Sequence, residues 1–419
     1  MMASFLFFKR VQMSVIKEFC GLRPPKNLAD KISELPYDVC SSAEARKTAE
    51  GNPYNFYHVT KPEIDLPENV DIYDESVYNK GAENFKAFIE KGYLASEKTP
   101  CFYFYTLVMN GREQTGLVCT VSVDDYLNGV VKKHEFTRED KERDRIKHID
   151  VLGAQTGLVF LFYKEDGSKK DLWMKALSKP AEYDFTASDG IRHIFRIIDE
   201  PALIEQIKDS FKNTGMYIAD GHHRAASAAK NALARRQDGS DTKKGDFNYF
   251  LSVVFPHDQL KIMPYNRVLS DLNGNTKESL IEKICKNFTV NKVDYDTPKD
   301  KGSFCMYIEG EWYEVKPSFD TGNDPVESLD VSVLQNHILK PIFSIDDPRT
   351  SKKIDFIGGI RGTKELVKLV DSGKFKAAFS MYPTSMQDLM DVSDSGNVMP
   401  PKSTWFEPKL RDGLIVYQI

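Results

Sequence analysis

Apolar positions along this chain follow two periods, and the change from one to the other outlines its elements. Between Cys101 and Val123 the runs CFYFYTLVM and TGLVCTVSV are rich in β-branched and aromatic residues and are separated by NGREQ. That composition predicts two paired strands, with Asn110-Gly111 as the hairpin turn. Upstream, Val77, Phe85, Phe88 and Ile89 recur at helical spacing across Ser76 to Gly92. From Pro201 to Arg236 a helix, a strand and a second helix follow one another. Strand signals resume at Tyr249 to Phe255 and at Phe304 to Val315, with a helix at Lys277 to Asn287 between them. Pro317 to Glu327 reads as a loop. Beyond it, Val331 to Lys340 and Thr363 to Asp371 read as helices and Ala377 to Met381 as a strand. The pattern predicts a mixed α+β fold with an antiparallel amino-terminal sheet. Domain edges are placed at Asp199 and Asp320, giving an extension over residues 1–15, an α+β domain over 16–199, a core over 200–320 and a carboxy-terminal α/β segment over 321–419.

One stretch breaks the pattern. Thr137 to Lys147 is helical in spacing but almost entirely charged, with Thr137 as a natural N-cap and Glu139 and Arg143 four residues apart. A helix with so little apolar face is expected in solvent, or along a polar cleft. His134 and Glu135 immediately before it keep the cleft open as an alternative.

Chemistry concentrates at Met216-Tyr217-Ile218-Ala219-Asp220-Gly221-His222-His223-Arg224-Ala225-Ala226. A short apolar run turns at Asp220-Gly221 into an alanine-rich helix whose first turn carries two imidazoles and a guanidinium. A helix amino terminus favours phosphate or carboxylate, Gly221 lets such a group approach the backbone, and Arg224 can clamp it. His222 and His223 are candidates to add charge or move a proton. Spacing alone supports equally an N-cap aspartate, a turn glycine and an arginine paired with a nearby carboxylate.

Other candidates lie elsewhere in the chain. Gly358, Gly359 and Arg361 in IDFIGGIRG form a second strand–glycine–helix junction suited to an anion, or simply a tight turn. His134 and Glu135, beside Lys132 and Lys133, offer an acid/base pair with cations. Glu135 and Asp38 are candidates for the carboxylate that orients or deprotonates an attacking hydroxyl. Asn266 and Arg267 in PYNR, and Lys402, Ser403, Thr404 and Lys409 in MPPKSTWFEPK, are set among proline and aromatic residues. They suit a substrate-pocket rim and turn scaffolding equally well.

Composition narrows the function classes. Hydrophobic residues make up 41% and charged residues 28%, as in an ordinary globular chain, and the net charge of -5 argues against nucleic acid as a partner. The six cysteines form no CxxC pair, which fits reduced thiols in a cytoplasmic protein. The run MMASFLFFKRVQM is short for a membrane span or signal peptide, and Met13 is an alternative start. Histidine spacing does not suggest zinc, and neither haem nor flavin is expected.

Several segments together resemble a family of largely uncharacterised proteins, domain-of-unknown-function family 1015. They are ADGHHRAA, LPYDV (Leu35 to Val39), GNPYNFYHV (Gly51 to Val59), KKHEFTREDKERDRIKHID (Lys132 to Asp150), FPHDQLKIMPYNRV (Phe255 to Val268), IDFIGGIRG and MPPKSTWFEPKL. Over about fifteen residues, the DGHHRA core is also similar to the phosphate-binding turn of the ParB-like superfamily, which includes ParB nucleotidases, sulfiredoxins and free-serine kinases. His222 stands where sulfiredoxin has its cysteine, and the serine-kinase branch is the closer fit. The resemblance implies a ParB-like nucleotide-binding core, ATP or ADP with Mg²⁺, and phosphoryl transfer involving free L-serine or phosphoserine. In that picture Asp220, Gly221, His222, His223 and Arg224 hold phosphates, Glu135 or Asp38 acts as base, and Arg361 or Arg267 grips a substrate carboxylate. A nucleotide-binding switch without an acceptor, and a nucleotide-independent phosphatase, are the rival readings.

Overall fold

The computed structural model describes residues 14–238 and 245–419, so the extension read through Met13 lies outside the described residues. The chain divides into two units, each assembled from separated stretches. Of the described residues, the first contains those up to 132 together with those of 136–259 and 408–419, and the second contains 133–135 and 260–407. The fold is mixed α+β, as the pattern predicts. Among the described residues no helix is long and apolar enough to cross a membrane.

In the first unit the predicted hairpin joins Phe102–Met109 to Arg112–Ser122, in register from Tyr103 opposite Val118 to Met109 opposite Arg112. Asn110 and Gly111 have φ of 53° and 77°, the left-handed pair that a two-residue hairpin turn requires. The hairpin sits inside a nine-stranded sheet. From one edge the order is Val131–Lys132, Met216–Asp220, Val159–Tyr163, Tyr249–Pro256, Arg112–Ser122, Phe102–Met109, Arg192–Ile198 and Tyr183–Thr186, and Ile16–Lys17 adds to the Arg112–Ser122 strand. The strand that ends at Asp220 therefore belongs to the same sheet as the amino-terminal hairpin.

Successive residues point to opposite faces, and both faces are buried. Phe102, Phe104, Leu117, Cys119, Leu161 and Ile218 meet helix residues that include Leu203, Ile207 and Phe211. On the other face Tyr103 packs on Phe195 at 5.3 Å between ring centres, and Phe162 stacks on Tyr217 at 5.0 Å. Each such apolar side chain contributes about 1.5–3 kcal/mol by leaving water.

The helix His222–Gln237 follows the Met216–Asp220 strand directly, and Ala225, Ala226, Ala228, Ala229 and Ala232 are buried. Small side chains let it lie close to its neighbours, which include the charged helix. That helix spans Glu139–Leu152, and the expectation of a solvated helix needs correction because Glu142, Asp144 and His148 are buried. Each buried polar group has a partner. Glu142 accepts from Thr137 and pairs with Lys230, and its carbonyl accepts from Ser227 Oγ at 3.2 Å. Asp144 accepts from Tyr78 at 2.8 Å and pairs with Arg145, and His148 Nε2 lies 3.1 Å from the Val59 carbonyl. The buried Glu142 and Asp144 tie this helix to the helices His222–Gln237 and Glu75–Glu90, while Glu139, Arg143 and Asp150 are exposed.

The second unit is built on a six-stranded sheet ordered Phe288–Val293, Glu311–Pro317, Phe304–Ile308, Ala377–Met381, Tyr265–Leu269 and Ile354–Gly358. All neighbours in it are antiparallel. The helix Gly362–Asp371 buries Leu366 and Val370 against Val268, Tyr307, Ile357 and Ala378.

Close packing of the alanine helix can be tested by overfilling it. Ala232 is fully buried, and Ala232→Leu should cost about 1–3 kcal/mol. This would appear as a lower urea midpoint at unchanged slope, and an unchanged midpoint would show that the helix has room to spare.

Candidate functional site

The Met216–Asp220 strand slips register against Val159–Tyr163 between Ile218 and Asp220, just before the chain leaves the sheet. Gly221 then adopts φ 91°, a left-handed conformation in which a side chain would be strained. A Cβ there would also lie 3.2 Å from Arg224 Nε and 3.4 Å from Val159 Cα. Glycine thus permits both the turn and the folding back of Arg224 beneath it. No side chain caps the helix that begins at His222, so its first turn presents its dipole end to the site.

Arg224 is the centre of this site. It is only 8% exposed, yet its Nε has no hydrogen-bond partner among the described residues. One terminal nitrogen donates to the Leu158 carbonyl, and the other lies 3.6 Å from Asp38 and 3.9 Å from Asp220. Asp220 Oδ1 accepts from the Gly221 N–H at 2.8 Å, and Oδ2 pairs with Lys409 at 3.2 Å. Burial works against the Asp220 charge, but Lys409, Arg224 and these hydrogen bonds outweigh it and hold the carboxyl well below the usual range. His223 is pushed the other way for an imidazole. Burial lowers its affinity for a proton, and its Nε2 accepts the Arg138 N–H at 3.0 Å, so it sits as a neutral ring. His222 is buried.

Sequence reasoning found Asp38, Asp220, Gly221, His223 and Arg224 and did not find what surrounds them. Tyr37 carries the Arg145 guanidinium 3.9 Å above its ring. Those two residues, with His148, Gln155, Thr156, Gly157 and Arg224, line a pocket of about 30 Å³, room for one or two waters. Asp412 is 2% exposed, and neither carboxylate oxygen has a hydrogen-bond partner among the described residues. Burial pushes its carboxyl up to about 7, opposed by Arg224 and assisted by Asp38. Tyr37 lies within LPYDV and Arg145 within the charged helix, both noted as segments. Asp412 lies just beyond MPPKSTWFEPKL, outside every segment singled out in the sequence.

The remaining candidates belong to the second unit. Arg267 is buried, donates to the Tyr265 and Lys402 carbonyls and lies 5.4 Å from the Phe356 ring centre; burial lowers its pKa to about 10. Asn266 Oδ1 accepts from the Met381 N–H at 3.0 Å. Ser403 Oγ donates to the Pro400 carbonyl at 2.6 Å, and Thr404 Oγ1 is 3.4 Å from His134 Nε2. Glu135 lies in the same unit. A Cβ on Gly358 would strike the Trp405 ring at 2.8 Å, and one on Gly359 the Pro264 carbonyl at 2.6 Å. Close packing thus accounts for these glycines, while Arg361 is exposed. The hydrogen bonds of Asn266, Arg267 and Ser403 are those of scaffolding.

The state of Asp412 has a measurable consequence. A carboxyl that titrates near 7 in the fold and near 4 in the unfolded chain makes the folded state bind more protons between those values, so stability falls as pH rises from 4 to 7 and is level above. Asp412→Asn cannot ionise, and it should raise Tm at pH 8 by roughly 5 °C or more while changing it little at pH 4. Equal shifts at both pH values would contradict this state.

The family described as Protein of unknown function (DUF1015) matches residues 16–332. No curated protein matches the chain. Among solved structures, it is similar to a free serine kinase in complex with AMP, at 14% identity over 69% of this chain and 86% of that one, with a TM-score of 0.35. It is also similar to a conserved hypothetical protein from Pyrococcus furiosus, at 15% identity over 70% and 93% of the two chains, with a TM-score of 0.35. A third is SbnI with a carboxy-terminal truncation from Staphylococcus aureus, at 13% identity over 70% and 85%, with a TM-score of 0.36. With residues 16–332, three-quarters of its length, matched, the chain belongs to the DUF1015 family.

Proposed function

We propose that the protein is a phosphoryl-transfer enzyme that binds ATP or ADP with Mg²⁺ at the turn Asp220 to Arg224. It would pass the terminal phosphoryl group to the hydroxyl of a small acceptor, with free L-serine the first to try. The observation that carries this reading is Arg224, a buried guanidinium with an unpartnered N–H, beside an uncapped helix amino terminus. Both features favour a phosphate, and both lie at the same turn.

Asp38 and Asp220 at first oppose an anion. Two carboxylates within 4 Å of Arg224 hold its charge, so a phosphate binds well only if a cation accompanies it. Oxygen donors of this kind suit Mg²⁺, which is typically held by one or two carboxylates and the phosphates themselves. When bound, it would neutralise the phosphate charge. Arg224, released from Asp38, then clamps the phosphate, and Gly221 keeps the approach to the backbone open.

Asp38 is 38% exposed, and once Arg224 has turned to the phosphate it receives the acceptor proton, while Asp220 would hold the cation. In the transfer the acceptor O–H bond breaks and its proton passes to Asp38, while the acceptor oxygen bonds to the terminal phosphorus. The bridging P–O bond breaks, and the nucleotide leaves one phosphate shorter. His223, held neutral, adds no charge to this step.

Incubation with Mg²⁺, L-serine and either ATP or ADP, followed by phosphorus NMR, should show O-phosphoserine. Arg224→Lys keeps the charge but loses the fork, and turnover should fall about 100-fold or more with little change in Tm. No phosphoserine from either nucleotide, or undiminished turnover in the variant, contradicts the proposal. Nucleotide binding without transfer would favour a switch.

A further inference from the structure

Asp412 is a buried group at this site to which phosphoryl transfer assigns no task. Its position is fixed. The backbone N–H and carbonyl exchange hydrogen bonds with Glu34 at 3.0 and 3.1 Å, and Gly413 at φ 86° turns the chain away at once. Both carboxylate oxygens are nonetheless without a hydrogen-bond partner among the described residues. A Cβ on Gly157 would lie 3.3 and 3.4 Å from those two oxygens and 3.2 Å from Arg224 Cδ. Gly157 is a wall of the small pocket that Arg145, Thr156 and Arg224 also line, and its bare Cα is all that stands between that space and the Asp412 carboxylate on this side.

A buried carboxylate without a partner is costly, and such groups are expected where something else completes their hydrogen bonds. Donors are needed on one side and an acceptor on the other, because Asp412 presents two bare oxygens while Arg145 and Arg224 present guanidiniums. The two guanidiniums disfavour a bare metal ion, and Asp412 disfavours a simple anion. A ligand with an ammonium and a carboxylate on one carbon satisfies both demands.

We propose that Asp412 recognises the ammonium group of a small α-amino acid in a pocket where Arg145 takes the carboxylate, which makes it a specificity-determining residue for the acceptor. This rests on the transfer reading and gives it a reason to select an amino acid over other hydroxyl compounds. Arg145 is held for the task by its 2.8 Å pair with Asp144. The pocket has room for one or two waters, so the ligand enters by displacing the three-residue turn Tyr37–Val39, whose Tyr37 closes one side.

Calorimetric titration of the full-length protein with L-serine and with D-glycerate, which keeps the carboxylate and hydroxyl but lacks the amine, tests the assignment. L-Serine should bind at least 100-fold more tightly. Asp412→Asn should weaken L-serine about 100-fold and leave D-glycerate unchanged. Gly157→Ala places a methyl group against both oxygens and should weaken L-serine likewise, so that the result does not hang on one variant. Equal affinity for the two ligands, absence of L-serine binding, or unaltered L-serine affinity in the folded D412N variant overturns the assignment. The two readings fail separately: L-serine binding without phosphoserine formation contradicts the kinase reading alone, and phosphorylation of D-glycerate as readily as L-serine contradicts the Asp412 assignment alone.

Discussion

A guanidinium buried as deeply as Arg224 must be neutralised where it stands, and much of the first unit is arranged around that requirement. Asp38 and Asp220 flank it, the Leu158 carbonyl accepts from it, and Gly157 and Gly221 give up their side chains so that it can fold beneath the turn. The partners come from the amino-terminal part of the chain, the strand before the turn and the loop before Val159. Lys409, from the returning carboxy-terminal segment, reaches Asp220. A buried ion pair of this kind is weak evidence for stability, since desolvation offsets much of the attraction. Its unpartnered Nε and the orphaned oxygens of Asp412 point instead to a site held ready for a ligand.

What the sequence makes legible is local. The hairpin at Asn110-Gly111 and the strand–glycine–helix junction at Gly221 are written in residues next to one another, because left-handed φ and alternating burial leave their mark on the nearest neighbours. Asp38, Asp220 and Arg224 are likewise residues whose chemistry shows in their type. The charged helix is different. Its buried Glu142 and Asp144 are tolerable only because Lys230 and Tyr78, some 60 to 90 positions away, complete them, and no periodicity within the helix reveals that. Asp412 is harder still, since its meaning comes from a strand-like bridge to Glu34 across most of the chain.

The two glycine junctions show why spacing alone leaves function open. Gly221 follows a strand and Gly358 ends one, and both sequences read as anion loops. At Gly221 the conformation is left-handed and the space beside it holds a guanidinium. Around Gly358 and Gly359 the space is filled by Trp405 and Pro264, so packing alone demands the absence of a side chain. The same residue type answers two different constraints, and only the neighbours tell them apart.

The central claim is that the first turn of the His222–Gln237 helix receives a phosphate. Selective ¹⁵N labelling of histidine and arginine, with spectra recorded as Mg²⁺·ADP is added, observes that turn directly. The account predicts saturable shifts of the His222, His223 and Arg224 backbone amides together with the Arg224 Nε–H, all with one dissociation constant. Binding of nucleotide that leaves those four signals in place, or no binding at all, would contradict it.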